Sequence, residues 1–184
     1  SKITQVLNDF DEILEGEKSV HFFGAVIFYN IPSSPDKPST FEVIDGQQRI
    51  TTIFLFLLAY TYVLRKYSPE KAKRFFHQKI INTSSMGPNA TLKPSKEDRS
   101  QLNWIFNQIT RAKAFEDVLG DYTYSPFPEE RNSKNKGPMM SNFRQFRKYL
   151  ENKVDKQKDS EKGKYLEDLV YKILNSCTAV SINI

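Results

Sequence analysis

Ten consecutive residues hold most of the chemistry this sequence offers: Val43-Ile44-Asp45-Gly46-Gln47-Gln48-Arg49-Ile50-Thr51-Thr52. The pattern is that of a strand running through a two-residue turn, Asp45-Gly46, straight into a buried helix. At such a junction the first free backbone N–H groups of the helix point toward the turn and the helix dipole adds partial positive charge, so an anion is welcome there. Gly46 would let a ligand approach the backbone closely. Arg49 offers a fork suited to phosphate oxygens, and Thr51 and Thr52 place hydroxyls in the first turns. Asp45 could hold a divalent cation or a ribose, and Gln47 or Gln48 could orient a water. A plainer reading uses the same residues: Asp45 is the N-cap and Gln48, three residues later, completes a capping box. The segment is not a Walker-type phosphate loop, and on spacing alone both readings stay open.

The elements that must position this segment follow from periodicity. Ile3, Val6, Leu7, Phe10, Ile13 and Leu14 recur at helical spacing, with Gly16 as the stop. Residues 21–29, aromatic and β-branched, predict a buried strand, and residues 41–44 a second strand hairpin-paired with it. Between them residues 31–39 carry three prolines and three serines and predict a loop. A helix is expected over residues 47–67, apolar all round at 53–58 and therefore buried in a core. Ser68-Pro69-Glu70 supplies a cap and a proline at the first position of the next helix. Short strands are expected at 78–82 and 90–93 around a Gly87-Pro88 turn. Ser95 to Asp98 has the spacing of a capping box ahead of a helix through Leu102, Ile105, Phe106 and Ile109. Residues 121–140 read as a loop. Phe143, Phe146, Tyr149 and Leu150 mark a helix, 153–164 a charged connector, and Tyr165 to Leu174 an amphipathic helix before a final strand at 178–184.

Composition limits the classes open to the chain. With 184 residues, 39% hydrophobic and 27% charged, it has the make-up of a globular protein with a real core. The longest apolar run, residues 53–60, is too short to span a bilayer, and the polar N-terminal stretch is no signal peptide. The single cysteine, Cys177, excludes an internal disulfide and fits a reducing cytoplasm, the expected location. A start at Ser-Lys without Met, and an end on an alternating strand, lead us to expect a piece cut from something longer. The net charge of +5 is uneven: residues 1–64 carry 4 Lys/Arg against 8 Asp/Glu, residues 65–130 carry 11 against 8, and residues 131–184 carry 12 against 6. A basic C-terminal half can attract polyanions, but the lysines alternate with acids instead of clustering with aromatics, which favours a solvated helical surface.

The segment DGQQRITT resembles the hallmark DGQQR-[LI]-T-T of domain-of-unknown-function family 262, the N-terminal domain of GmrSD-type restriction proteins. Weaker likenesses lie at His21-Phe22-Phe23-Gly24-Ala25-Val26, at Leu92 to Asp98 and at Ser141-Asn142-Phe143. The family is related to the ParB and sulfiredoxin fold. The resemblance implies an α+β chain: a small ParB-like lobe of strands and a central buried helix over 1–67, then a mostly helical extension over 68–184 ending in a strand. It also implies nucleoside-triphosphate binding and hydrolysis serving a modification-dependent restriction or anti-phage system. Asp45, Gln47, Gln48 and Arg49 would then act catalytically. Asp45, Gly46, Gln48, Arg49, Thr51 and Thr52 would hold the nucleotide, and Asp45 its Mg2+. DNA and a His-Asn-His nuclease domain or subunit are the implied partners. The chain departs from the family pattern in three places. It lacks the upstream Pro-x-x-Gln-Arg motif, the Phe-Glu-x-Leu/Ile-Asn motif after the final strand, and any nuclease motif, so little turnover is expected from these residues alone. The alternative is a non-catalytic sensor of modified DNA, or a domain that binds a nuclease subunit, with the DGQQR segment serving only as a cap.

Other candidates read as structural. His21 and His77 lack neighbours with metal spacing. Cys177, without an adjacent activator, is expected to be a buried inert thiol. Trp104 and the phenylalanines at helical spacing are core residues before they are base-stacking platforms. Tyr122, Tyr124 and Phe127 either contact a partner or pack on their own domain.

Overall fold

A computed structural model describes residues 2–32, 39–84, 87–111, 126–127 and 137–184. In chain order the elements are α1 (Lys2–Glu15), β1 (His21–Ile31), β2 (Thr40–Asp45), α2 (Gln47–Leu64), α3 (Pro69–Phe75), a π-helical turn (Phe76–Ile80), β3 (Ile81–Ser84), β4 (Gly87–Ala90), a 3-10 turn (Lys96–Asp98), α4 (Arg99–Thr110), α5 (Pro138–Asp155), α6 (Lys162–Ser176) and β5 (Cys177–Asn183). The architecture is α+β, a small sheet lobe joined to a helical part. Two compact units result: Ser1–Ile53 with Leu169–Ile184, and Phe54–Asp168. α2 runs on from the first unit into the second, and the chain returns to the first through α6.

The first unit is built on a three-stranded sheet of order β2-β1-β5, β1 pairing antiparallel with β2 and parallel with β5. α1 buries Ile3, Phe10 and Ile13, the stripe its periodicity required, and Gly16 ends it with φ +82°. β1 is not the buried strand expected. Val26 is buried, but Phe22 is 60% and Tyr29 46% exposed. β-branched and aromatic residues favour extended backbone; they do not decide whether both faces of the sheet are covered. Register shifts between Phe22 and Ala25 against β5, and between Ile27 and Phe28 against β2, mark bulges in β1. Bulges re-aim side chains, and one of these lies beside the site described below.

The second unit has a core of aromatic and aliphatic side chains. Phe56, Leu58, Ala59 and Val63 of α2 are essentially inaccessible, as are Phe76, Leu102, Phe106, Phe143, Phe146 and Leu150. Rings meet edge to face, Phe56 on Phe146 at 5.4 Å and Phe76 on Phe106 at 5.8 Å, the geometry their quadrupoles prefer. The long apolar run of α2 therefore lies in a core, as its unbroken hydrophobicity required. The helix ends at Leu64, three residues earlier than expected, where Ser68 N–H closes on the Leu64 carbonyl at 2.8 Å.

Several local expectations need correction. Ser68 precedes α3 and Pro69 opens it, but the Ser68 side chain makes no capping bond. Residues 78–80 belong to the π-helical turn, which keeps Phe76 and Ile80 in the core. The hairpin register pairs Ser84 with Gly87, so Gly87 and Pro88 lie in β4 and the strand ends at Ala90. Ser95 Oγ bonds the Asp98 carboxylate at 3.0 Å instead of capping a backbone N–H. α5 begins at Pro138 within the expected loop, because Gln101 Oε1 accepts a hydrogen bond from Met139 N–H at 3.0 Å and serves as the missing cap. The expected connector is helical to Asp155 and again from Lys162. The remaining loop expectations at 33–38, 121–125 and 128–136 lie outside the described residues, as do Tyr122 and Tyr124. Phe127 is buried, its N–H and carbonyl both held by the Asn103 amide at 3.1 and 2.9 Å.

Candidate functional site

All of the site elements belong to the first unit. β2 carries Asp45 to its last position, opposite Ile27 of β1. Gly46 follows with φ +89°, and a Cβ there would lie 3.1 Å from the Ala25 carbonyl oxygen and from Val26 Cγ2. Both the sign of φ and the lack of space therefore demand glycine. The Gly46 carbonyl accepts Arg49 N–H at 3.0 Å and Ile50 N–H at 3.1 Å, which starts α2. The preceding N–H groups, those of Gln47 and Gln48, have no carbonyl within the helix to bond.

The capping-box alternative does not form. Gly46, not Asp45, occupies the cap position, and the Gln48 amide oxygen accepts from Lys2 Nζ at 3.3 Å. The Asp45 side chain is 66% exposed, its nearest ionic partner Arg49 Nη1 at 3.9 Å. An exposed pair at that distance contributes little to stability.

Arg49 is held mainly by backbone. Its Nη1 donates to the Ala25 carbonyl at 2.8 Å, and its guanidinium lies against Gly24, at the β1 bulge. Gly24 has φ +93°, and a Cβ on it would sit 3.0 Å from Arg49 Nε and 3.2 Å from Cζ. The side chain is thus seated by one carbonyl and one bare Cα, with N–H capacity left over for a ligand.

A cavity of about 590 Å³ opens here, within the ordinary range for small-molecule sites, lined by Lys2 and Val6 of α1, Phe23, Ile44 and the segment Asp45–Arg49 with Thr52. Asp45, Gly46, Gln47, Gln48, Arg49 and Thr52 of the predicted residues come together on it. Thr51 does not line it, because Gln48 and Thr52 share one helix face and Thr51 falls off it. The Thr52 hydroxyl donates to the Gln48 carbonyl at 2.7 Å, and Gln47 turns its amide back to the Val43 carbonyl at 3.0 Å. Sequence reasoning missed Lys2, Val6 and Phe23, which reach the cavity only through tertiary packing, and it gave Gly24 no role. With Lys2 and Arg49 against Asp45, the lining carries one net positive charge.

A second polar cluster ties α1 to β1. The nearly buried Asp9 carboxylate accepts from Lys18 Nζ at 2.9 Å and lies 3.1 Å from His21 Nδ1. Burial pushes the Asp9 carboxyl up, but the Lys18 hydrogen bond, the His21 charge and the Gln5 amide together hold it below the ordinary 3.8. His21 faces Cys177 across the β1–β5 register. Burial, and then the Asp9 charge, push the Cys177 thiol up to about 11.

Among the described residues no three His, Cys, Asp or Glu side chains gather to hold a metal ion. A cation at Asp45 would therefore draw its other ligands from a bound phosphate and water, which is the habit of Mg2+ in phosphate sites. Among the same residues no helix is long and apolar enough to cross a membrane.

Fold and junction define an α+β domain whose sheet-to-helix corner seats an arginine beside unpaired helix N–H groups. The match to known families is specific: residues 1–184, the whole chain, match the N-terminal domain of the GmrSD restriction endonuclease, and the chain belongs to that family. It is a restriction-system domain. Among curated proteins nothing matches it.

Proposed function

We propose that this domain binds a nucleoside triphosphate with Mg2+ at the N-terminus of α2 and that the site serves its hydrolysis within the restriction system. The observation that carries this reading is the seat of Arg49, fixed by the Ala25 carbonyl and Gly24 beside the open N–H groups of Gln47 and Gln48. Phosphate oxygens would take those N–H groups and the remaining guanidinium hydrogens, and Lys2 adds a second cation across the cavity. Gly24 removes the Cβ that would keep Arg49 away, and Gly46 the one that would strike the Ala25 carbonyl and Val26 at the corner. Asp45, exposed and only loosely paired, suits the protein ligand of the Mg2+, which when bound neutralises phosphate charge. Gln48, whose amide oxygen meets the exposed Lys2, would orient a water in this reading; Gln47, turned back on β2, suits that role less. DNA and a His-Asn-His nuclease enter this reading as the partners of the larger system. A purely capping role for the segment lacks its hydrogen bonds.

The test is thermal melting of the chain with and without triphosphates and Mg2+. A specific ligand at about a hundred times its Kd should add roughly 2.7 kcal/mol of stability. Arg49→Ala should abolish the shift, whereas Asp45→Ala should abolish only its Mg2+ dependence. No shift with any of the four common triphosphates would defeat the reading.

A further inference from the structure

The two units differ sharply in charge. Residues 1–53 and 169–184 carry 5 Lys/Arg against 8 Asp/Glu, a net −3, whereas residues 54–168 carry 22 against 14, a net +8. The chain's whole positive excess therefore lies in the second unit. In sequence those cations alternate with acids; in the fold a set of them gathers on two aromatic rings. Around the half-buried Tyr62 stand Arg65 at 4.1 Å, Arg147 at 5.1 Å and Lys66 at 5.4 Å from the ring centre. Arg144 lies 4.7 Å over Trp104, and both rings meet the edge of Phe143. Arg144, Arg147, Lys148 and Glu151 recur at helical spacing on one face of α5, with Arg144 and Lys148 exposed. Glu151 is the single acid in this group, taken by Lys66 at 2.5 Å and Arg147 at 3.7 Å. Arg65 has a structural task, donating to the Gln108 carbonyl at 2.6 Å and to that of Ile109. Four cations besides Arg65 face one carboxylate, a local excess of three.

We propose that this face of α5, with Lys66 of the α2–α3 turn, holds the phosphate backbone of duplex nucleic acid without reading its sequence. Phosphate, unlike a protein carboxylate, recurs along a duplex at regular intervals, about 3.4 Å per strand step. Successive turns of α5 present cations roughly 6 Å apart, close to two such steps. Arg144 and Arg147 are held over the Trp104 and Tyr62 rings, and a guanidinium so held loses less freedom on meeting a phosphate. The rings themselves are occupied by those cations and are not open platforms for unpaired bases, which favours a duplex over a single strand. The proposal uses residues remote in sequence from Asp45–Arg49 and stands whether or not a triphosphate binds there.

The experiment measures anisotropy of a labelled 20-base-pair duplex against the whole chain over a series of salt concentrations. Arg144→Gln combined with Lys148→Gln removes two exposed charges and, of the packing contacts above, only that of Arg144 on Trp104. It should weaken binding tenfold or more near 0.1 M salt and flatten the log–log salt slope by about 0.9 per charge. Glu151→Gln should act in the opposite direction, tightening binding several-fold and steepening the slope, a gain that misfolding would not produce. The proposal is overturned if the wild-type chain does not bind the duplex at low salt, or if the double variant and Glu151→Gln both leave affinity and slope unchanged. Tighter binding of a single strand, or displacement of the duplex by polyglutamate as readily as by unlabelled duplex, would also overturn it.

Discussion

Replacing Gly24 by alanine should unseat Arg49 without touching the DGQQR segment. The new Cβ would lie 3.0 Å from Arg49 Nε and 3.2 Å from Cζ, so the guanidinium must swing away from the Ala25 carbonyl. Two costs add. Alanine at φ +93° is strained by about 1–2 kcal/mol. Losing a charged hydrogen bond costs about 1.5–3 kcal/mol when buried, and less here because the Arg49 side chain is 43% exposed. Together they predict about 2–3 kcal/mol of destabilisation in urea or thermal unfolding. Separately, losing the charged hydrogen bond from Arg49 to phosphate, about 1.5–3 kcal/mol, predicts triphosphate binding weaker by about ten- to a hundredfold, at 1.4 kcal/mol per decade. The diagnostic measurement is a double-mutant cycle with Arg49→Ala. Once the guanidinium is gone the backbone strain remains but the collision does not, so a coupling of about 1–2 kcal/mol is expected. Strictly additive effects on stability would refute the seat, and they would do so even if no nucleotide binds.

Three further outcomes follow from the packing and charge of the same two units. Asp9→Asn should cost about 1–3 kcal/mol at pH 7 through its lost charged hydrogen bonds. Because the folded-state Asp9 pKa lies below the ordinary 3.8, the carboxylate's contribution is complete above 3.8 and is lost as the pH falls through the folded value. The gap between variant and wild type, followed by acid unfolding, should therefore narrow only below pH 3.8. Cys177, only half-buried where a buried thiol was expected but with its pKa pushed up to about 11 from 9.0, should react with iodoacetamide at pH 8 about a hundredfold more slowly than an unperturbed thiol, and labelling at the free-thiol rate would contradict that shift. Phe56→Ala, at the centre of α2, should destabilise the chain by about 3–5 kcal/mol in urea unfolding, and a loss under 1 kcal/mol would mean that the α2 core is not the one described.

What could be read from the sequence was local and periodic. The stripe of Ile3, Phe10 and Ile13 announced α1, the unbroken run in α2 announced a core helix, and Asp45-Gly46 announced the strand-to-helix corner on which the candidate site stands. The corrections came where competing local rules carry similar energies. Ser68 and Ser95 have capping chemistry at capping positions, yet neither side chain caps a backbone N–H; for Ser95 the Asp98 carboxylate offers a comparable partner. The start of α5 was invisible for the opposite reason: its cap is Gln101, thirty-eight residues away.

By itself, then, the sequence determined the periodic elements, the glycine-demanding corner and the family, since each depends on residue type and short-range spacing. The tertiary structure alone decided which N-cap reading holds, because that turns on Gly46 accepting the first helix bonds and on Gln48 meeting Lys2, forty-six residues away, at 3.3 Å. It alone brought Lys2 and Phe23 to the cavity and laid Arg49 on Gly24, twenty-five residues earlier in the chain. It also converted a charge pattern that alternates along the chain into a cluster on Tyr62 and Trp104. Distances across strands and between helices depend on register, bulges and packing, and no single-chain spacing encodes them.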